Sequence, residues 1–241
     1  MHKYDLSIII PCKNEEENIL NTINRLTKII SSIDFEIVII NDFSSDNTFK
    51  LVKKFFKKKK NIKIYNNITP GLGGAINLGL NKVLGKFSAI MMADLSDDPK
   101  DLLKYFNLIN NSNHEYDAIF GSRFIKKSKI YNYPIKKLIL NRVFNYAVKF
   151  ILLSDYSDFT NAFKIYRSNK LKKMRPFIST HFNIFLEIPL KFILLKHRYK
   201  IIPISWKNRK FGKAKFKINE LGSKYLFTLF YLLKIKFLKI I

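Results

Sequence analysis

The sequence predicts an α/β fold built on a mostly parallel central sheet. Up to residue 121, short apolar runs of strand length alternate with segments whose apolar residues recur at helical spacing. Short connections join these segments, as in parallel sheets with right-handed crossovers. Polar residues follow the strand-like runs, at the edge where such a sheet binds ligands. The 241 residues suffice for a domain with a substantial core, and their 47% apolar content excludes a disordered protein.

The first half of the chain is predicted to hold five strands, over 5–11, 36–40, 61–65, 87–92 and 117–121. A helix follows the first strand, with Asn14 as its N-cap and Glu15, Glu16 and Glu17 in its first turn, where acids suit the helix dipole. The later helices of this half carry Phe49, Val52 and Phe56, run from the turn 70–74 to Leu84, and span 100–110.

The pattern changes after residue 121. We predict a helix over 138–153, a loop entering a strand over 157–167, a helix over 182–195 that Pro189 breaks or bends, a strand over 199–206 and a basic loop over 207–215. A long apolar and basic helix ends the sequence. We therefore expect one domain over 1–216, with halves 1–123 and 124–216, and a C-terminal amphipathic helix over 217–241.

Basic residues are concentrated in the second half. Residues 1–120 hold 16 Lys and Arg against 14 Asp and Glu, whereas residues 121–241 hold 28 against 4. The second half is therefore expected to face something anionic, such as phosphates, a membrane surface or nucleic acid. A lysine-rich bias of the whole chain is the alternative, but it does not explain why acids nearly vanish after residue 121. The single cysteine, Cys12, excludes an internal disulfide.

The stretch 87–99 starts as an apolar strand and ends in a cluster of carboxylates. Asp94 still belongs to the strand end, where a carboxylate projects into the ligand-binding crevice of an α/β sheet. We interpret it as a ligand for Mg²⁺ or Mn²⁺, hard ions that prefer oxygen and bridge to phosphates. Asp97 and Asp98 are interpreted as caps of the helix that begins near Pro99.

Two other features are less informative. The glycine-rich turn 70–74 lacks the Gly-Lys-Ser/Thr of a P-loop and follows the third strand, so a P-loop NTPase or a simple dinucleotide-binding dehydrogenase is disfavoured. Its glycines are interpreted as serving a tight turn and close helix packing. The histidines have no metal-ligand spacing and receive no role; they are residues 2, 114, 181 and 197.

Seven stretches, in order along nearly the whole chain, carry a family resemblance. The first reads Ser-Ile-Ile-Ile-Pro-Cys-Lys-Asn-Glu-Glu-Glu-Asn over 7–18, and the others are 39–48, 71–79, 93–99, 121–124, 158–167 and 203–215. Together they resemble the GT-A glycosyltransferases of family 2, in the branch of dolichyl-phosphate (polyprenyl-phosphate) mannosyl- and glucosyltransferases. The resemblance implies a Rossmann-like, nucleotide-sugar-binding GT-A fold.

The same resemblance implies an activity. It is the inverting transfer of a hexose from a GDP- or UDP-linked sugar to polyprenyl phosphate at the cytoplasmic membrane face. A same-fold transferase acting on a hydroxyl of a glycan or lipid, in cell-surface polysaccharide synthesis, is the alternative. A degenerate, non-catalytic relative is a further hypothesis, because Met92 stands where the family's metal motif has its first Asp.

Site residues follow from the matched positions. The donor-binding residues implied are Pro11, Lys13, Glu15, Ile40 and Asp42 for the base and ribose, and Ala93, Asp94, Arg123, Arg209 and Lys215 for the rest of the donor. Arg209 and Lys215 would grip the diphosphate. The implied metal ligands are Asp94 and Ser96, and the implied catalytic residues are Asp94 and Asp158.

The acceptor decides whether a general base is needed. A lipid phosphate is already anionic near neutral pH and needs no strong base, whereas a hydroxyl acceptor would need Asp158 or Glu187. Glu187 is equally interpreted as a structural acid paired with a lysine. With either acceptor, a metal together with Arg and Lys stabilises the negative charge that develops on the leaving diphosphate.

The C-terminal stretch bears on location. Residues 225–233 are apolar apart from Thr228, a run far short of the ~20 residues that a transmembrane helix needs, and lysines follow at 234, 236 and 239. We expect this helix to lie on an anionic membrane surface, with the protein peripheral on the inner face. Packing on the domain or on a partner subunit is the alternative. No nucleic acid partner is expected, because no nucleic-acid-binding module is recognisable.

Overall fold

The computed structural model describes residues 2–111, 115–209 and 218–238. Its strands are β1 (Tyr4–Cys12), β2 (Phe35–Asn41), β3 (Ile62–Asn66), β4 (Gly85–Ile90), β5 (Ala118–Ser122), β6 (Lys129–Tyr131), β7 (Lys164–Arg167), β8 (Tyr199–Pro203) and β9 (Ser205–Lys207). Its helices are α1 (Ile19–Ile29), α2 (Thr48–Phe55), α3 (Leu72–Lys82), α4 (Pro99–Asn110), α5 (Ile135–Leu152), α6 (Ser168–Lys173), α7 (Ile184–Leu194) and α8 (Ile218–Phe237).

Seven strands form one sheet in the order β3-β2-β1-β4-β7-β5-β8. All neighbours in this sheet are parallel except β7, which runs antiparallel to both β4 and β5. β6 and β9 form a separate parallel pair. The predicted α/β fold with a mostly parallel sheet is confirmed, and each of the five strands predicted in the first half is present within two residues of its expected bounds.

The central strands are buried on both faces, which explains their continuous apolar runs. In β1, Ile8 and Ile10 pack into the core on one side of the sheet, whereas Ile9 packs into the core on the other side. β2 alternates in the same way, because successive side chains of a strand point to opposite faces. The carboxyl ends of these parallel strands therefore meet at one edge.

The N-terminus of α1 differs from the prediction. The helix begins at Ile19, with Asn18 and not Asn14 at the N-cap position, and its first turn holds no acid. Asn14 has a φ of 50°, and its side-chain oxygen accepts a hydrogen bond from the backbone N–H of Ser45. Segment 14–18 is thus held by the loop that follows β2, and this long-range pairing overrides the local capping signal.

Three smaller differences concern the second half. Of the two effects predicted for Pro189, a break does not occur, since α7 runs from Ile184 to Leu194 through it; a bend stays a prediction. The single predicted strand over 199–206 is divided into β8 and β9 at Ile204, whose side chain is buried. The short elements β6 and α6 were not predicted, because three and six residues are too few to show a clear periodicity.

The C-terminal helix α8 packs on the domain along one face. Its buried side chains, at helical spacing, are Tyr225, Thr228, Leu229 and Leu232. Tyr225 donates a hydrogen bond to the carbonyl of Phe182, and its ring meets Phe144 of α5 at 5.5 Å between centroids. Within the described parts of the chain, no helix is both long and apolar enough to cross a bilayer.

Candidate active site

A cleft of about 770 Å³ opens at the carboxyl edge of the sheet. Eight of the predicted site residues line it: Pro11, Lys13, Glu15, Asp42, Asp94, Ser96, Arg123 and Arg209. Among the described residues, the structure does not bring Ile40, Ala93 or Asp158 to the cleft wall; the side chains of Ile40 and Ala93 pack in the core, so either residue could meet a ligand only through its backbone. Lys215 lies outside the described residues.

Asp42 lies at the end of β2 and fixes the glycine-rich turn. Its Oδ1 accepts hydrogen bonds from the backbone N–H of Gly71 at 2.9 Å and from Asn67 at 2.8 Å. Gly71 has a φ of 106°, and a Cβ at Gly73 would lie 1.8 Å from the carbonyl oxygen of Ser179. The interpretation that these glycines serve a tight turn and close packing is confirmed.

Asp94, which was predicted to belong to the strand end, lies in the turn after β4, because this strand ends at Ile90. Asp94 and Arg209 both line the cleft and contact each other. The guanidinium of Arg209 lies 2.7 Å from Asp94 Oδ2 and 3.2 Å from Glu15 Oε1, and all three side chains are largely buried. Burial alone would lower the pKa of Arg209, but the charges of Asp94 and Glu15 raise it above its ordinary value. Arg209 therefore remains cationic, and it contacts Glu15, 194 residues earlier, just after the first strand.

The two aspartates after the strand have different roles. Asp98 caps α4 by accepting the backbone N–H of Lys100 and pairs with Arg25, so its interpretation as a cap is confirmed. For Asp97 that interpretation is wrong: its side chain is 2% exposed, lines the cleft and makes no capping bond to α4. Burial, followed by the charge of Asp94, raises the pKa of Asp97 from 3.8 to about 7.

Arg123 reaches the cleft from the end of β5 and is held by Asp158. Both oxygens of Asp158 accept from Arg123: Oδ2 from the backbone N–H at 2.8 Å and from Nε at 3.0 Å, and Oδ1 from the terminal nitrogen at 2.6 Å. Asp158 is fully buried and Arg123 is 7% exposed. Burial opposes the charge on Arg123, but the paired carboxylate raises its pKa above the ordinary value.

This pairing disfavours the predicted role of Asp158 as a general base. A base must have an oxygen within hydrogen-bond reach of the acceptor's proton, whereas both oxygens of Asp158 are occupied by Arg123 behind the cleft wall. Asp158 is better described as a residue that positions Arg123. The buried Lys164 lies nearby: its Nζ donates to the carbonyls of Phe159 and Asn161, and burial lowers its pKa to about 7.

Glu187 is a structural acid. Its carboxylate accepts the backbone N–H groups of Ile178 and Ser179 at 3.0 and 2.8 Å and pairs with Lys191 at 2.9 Å. The interpretation of Glu187 as an acid paired with a lysine is thus confirmed. These bonds hold the segment whose carbonyls lie against Gly71 and Gly73.

Sequence reasoning missed several residues of the cleft. His181, which received no role, lines it, as do Tyr133, Asn161 and Trp206. Trp206 is the only tryptophan, and Arg123 lies 5.9 Å from its ring centroid. The only tryptophan, at the end of a predicted strand and just before a basic loop, was the available signal for Trp206; His181 offered none, because its neighbours carry no ligand pattern.

The oxygen donors at the strand end suit a divalent cation. Mg²⁺ is commonly held by one or two carboxylates together with substrate phosphates, and Asp94, Ser96 and Asp97 supply hard oxygens at one place. Asp97 Oδ2 is buried and has no hydrogen-bond partner among the described residues, as expected for an atom that awaits a ligand. No group of three His, Cys, Asp or Glu side chains in those residues forms a complete protein-only metal site, so the substrate would have to complete the coordination.

The comparisons with known proteins agree with this fold. Residues 7–175 match glycosyl transferase family 2. The chain is 28% identical over 137 residues to the dolichol-phosphate mannosyltransferase of Pyrococcus furiosus, covering 57% of this chain and 38% of that protein. It is 33% identical over 150 residues to the UDP-N-acetylglucosamine–dolichyl-phosphate N-acetylglucosaminyltransferase of Methanococcus voltae, covering 56% of this chain and 58% of that protein. The matches thus span less than two thirds of either relative.

Among solved structures, the chain resembles the glucosyl-3-phosphoglycerate synthase of Mycobacterium tuberculosis in complex with Mn²⁺, UDP and phosphoglyceric acid. The TM-score is 0.71 at 14% identity, covering 95% of this chain and 78% of that one. This likeness confirms the predicted GT-A fold, and the two dolichyl-phosphate relatives support the predicted branch. Since the family match spans more than half of its length, the chain belongs to glycosyl transferase family 2.

Proposed function

We propose that the protein is an inverting glycosyltransferase that moves a hexose from a GDP- or UDP-linked sugar to polyprenyl phosphate. The observation that carries this proposal is the convergence of Asp94, Arg209 and Arg123 in one cleft at the carboxyl edge of the sheet. One carboxylate and two guanidinium groups suit a cation-bound diphosphate next to a second phosphate. The names of the two relatives that act on dolichyl phosphate support the same acceptor class.

The donor would lie across the ends of β1, β2 and β4. Pro11, Lys13 and Asp42 line that side of the cleft, where the base and ribose would bind. The diphosphate would then lie near Asp94, with a divalent cation that draws charge from the leaving group when bound. Arg209, together with Lys215, would neutralise the same oxygens, and a planar guanidinium does so with two parallel hydrogen bonds.

The acceptor phosphate would be held by Arg123. Asp158 fixes the guanidinium in place with three hydrogen bonds, so little side-chain entropy is lost when the phosphate binds. An ionised phosphate oxygen attacks the anomeric carbon directly, and the bond to the nucleoside diphosphate breaks on the opposite face. No residue is required to take a proton in this step, which agrees with the engagement of both Asp158 oxygens by Arg123.

A membrane location is supported by an exposed apolar surface on α5 and α8. The exposed side chains are Ile135, Ile139, Leu140, Val143, Tyr146, Phe150 and Ile151 on α5, and Leu226, Phe227, Phe230 and Phe237 on α8. Lys136, Lys234 and Lys236 are exposed beside them. Such a mixture suits the interface of an anionic bilayer. Leu140 of this surface lines the cleft, together with the less exposed Phe144 and Tyr225, so a lipid acceptor at this surface would lie next to the site.

The test of the activity is a matrix of donors and acceptors. The full chain is assayed with GDP- and UDP-linked hexoses, with polyprenyl phosphate, with glycan hydroxyl acceptors and with no acceptor, each with Mg²⁺, Mn²⁺ or chelator. We expect transfer to polyprenyl phosphate and none with the Arg123→Met variant. Transfer to hydroxyl acceptors alone would replace the proposed function by the alternative stated above.

The membrane location is tested by sedimentation with vesicles of anionic and of neutral lipid. Phe150→Ser on α5 and Phe227→Ser on α8 should reduce binding to anionic vesicles. Phe55→Ser on α2, another exposed phenylalanine, is the matched control and should bind like the wild type. Equal recovery of the wild type from the supernatant with and without anionic vesicles would contradict a peripheral location on the membrane.

A further inference from the structure

Asp97 is a buried carboxylate that the proposed chemistry has not used. It lines the cleft at 2% exposure, and its Oδ2 has no hydrogen-bond partner among the described residues. Leaving a buried carboxylate oxygen unpaired is costly, so such an atom in a native structure calls for an explanation, and a bound cation is one. Asp158 is engaged by Arg123 outside the cleft lining, whereas Asp94 shares the cleft with Asp97 and contacts Arg209 through Oδ2.

The carboxylate of Asp97 lies where the strand-end motif lacks an acid. The backbone N–H of Met92 is close enough to the carboxylate of Asp97 to offset part of the rise in its pKa, so Asp97 lies near the residue that replaces the first aspartate of the family's metal motif. The Met92 side chain also lines the cleft, but a thioether is a soft ligand that does not bind Mg²⁺ or Mn²⁺ well. Asp97 thus supplies a carboxylate oxygen, a hard metal ligand, close to the position where Met92 has only a thioether.

Long-range contacts hold Asp97 in this orientation. Its backbone forms an antiparallel bridge with Trp206, and the backbone N–H of Lys207 donates to the carbonyl of Ser96 at 3.0 Å. The neighbouring Asp98 instead caps α4. The bridge therefore separates two adjacent aspartates, turning one into the cleft and leaving the other at the helix end.

We propose that Asp97, together with Asp94, forms the carboxylate pair of a divalent-cation site and replaces the acid that Met92 does not provide. The role of this cation in holding the donor diphosphate rests on the proposed function, but the binding of the cation does not. A hard ion held by two carboxylates and completed by diphosphate oxygens and water matches the preference of Mg²⁺ for few protein ligands.

The position of Trp206 allows cation binding to be measured without transfer. Tb³⁺ is a hard, oxygen-binding cation whose emission is sensitised by a nearby indole, and Trp206 is the only tryptophan in the chain. The full-length protein is titrated with Tb³⁺, alone and with GDP or UDP, under tryptophan excitation. We expect saturable sensitised emission that Mn²⁺ and Mg²⁺ displace.

Asp97→Asn should weaken Tb³⁺ binding by about tenfold or more, which corresponds to the loss of one charged contact of roughly 1.5–3 kcal/mol. Asp94→Asn should weaken it similarly. Asp98→Asn is the matched control: it removes the adjacent carboxylate but keeps a good helix cap, so the affinity should not change. Circular dichroism and melting curves check that each variant is folded.

The decisive variant is Met92→Asp in the Asp97→Asn background. It returns a carboxylate to the motif and should restore Tb³⁺ affinity to within about threefold of the wild type. Folded Asp97→Asn protein with wild-type affinity would overturn the proposal, and so would wild-type protein without displaceable emission. Absence of transfer by wild-type protein that binds Tb³⁺ as expected would instead refute the proposed function and leave the cation site in place.

Discussion

Removing the negative charge of Asp158 tests whether this residue positions Arg123. The Asp158→Asn variant keeps the shape of the side chain and one acceptor oxygen but loses the counter-charge of a guanidinium that is 7% exposed. It also disturbs three hydrogen bonds of 2.6–3.0 Å. Breaking a buried ion pair by removing one partner costs about 3–5 kcal/mol, because the other charge stays buried without compensation. We expect about 3 kcal/mol, since the asparagine oxygen still accepts one bond.

The assay is urea unfolding at pH 7, followed by circular dichroism and by the fluorescence of Trp206. Asp155→Asn, an exposed aspartate three residues earlier, is the control and should change the unfolding free energy by less than about 0.5 kcal/mol. The double variant Arg123→Met/Asp158→Asn should recover most of the lost stability, because it no longer buries an unpaired charge.

Stability alone would not distinguish a positioning residue from a purely structural one. For Asp158→Asn we therefore also expect a higher KM for the acceptor phosphate with little change in the affinity for the nucleotide. A loss of stability below about 1 kcal/mol, or a double variant less stable than the single one, would refute the reasoning from the buried pair. An unchanged KM would refute the positioning role.

Three further predictions concern the cleft residues Asp94 and Arg209 and the buried Lys164. Asp94→Ala should abolish transfer and weaken donor binding in the presence of metal, as measured by turnover and calorimetry; wild-type turnover would contradict the strand-end assignment. Arg209→Ala should raise the Kd for GDP or UDP about one to two decades, the value of a charge-assisted contact, and an unchanged Kd would contradict a role in diphosphate binding. Burial lowers the pKa of Lys164 from 10.5 to about 7, so between these values the unfolded chain binds more protons than the folded protein. The free energy of unfolding should therefore rise from pH 7 to pH 9 by roughly 1 kcal/mol per pH unit relative to the Lys164→Met variant. Parallel curves of unfolding free energy against pH for the two proteins would contradict the burial of a neutral amine.

Much of the site could be predicted because its residues follow strands. The apolar runs of β1, β2 and β4 are local patterns, and parallel strands bring their carboxyl ends to one edge whatever the details of packing. Glu15, Asp42 and Asp94 therefore met in the cleft as the sequence indicated. The resemblance to a family added Arg209, which no local pattern connects with that edge.

Distant contacts outweigh local signals at several positions. Asn14 has the residue type of a helix cap, but its side chain accepts a hydrogen bond from the backbone N–H of Ser45, and α1 begins only at Ile19. Asp158 has the residue type of a base, but its partner Arg123 is 35 residues away along the chain. A residue type states what a side chain can do, and only its neighbours in space determine which of these roles remains open to it.

The sequence by itself determined the alternation of strands and helices, the edge where polar residues gather and the acid that follows β4, because these follow from periodicity and from the geometry of parallel sheets. Only the tertiary structure decided that β7 enters antiparallel between β4 and β5, bringing Asp158 behind Arg123. It also decided that Asp97 and Asp98 have different roles. The backbone bridge from Asp97 to Trp206, 109 residues later, turns the Asp97 carboxylate into the cleft, and this bridge exists only once the sheet has formed.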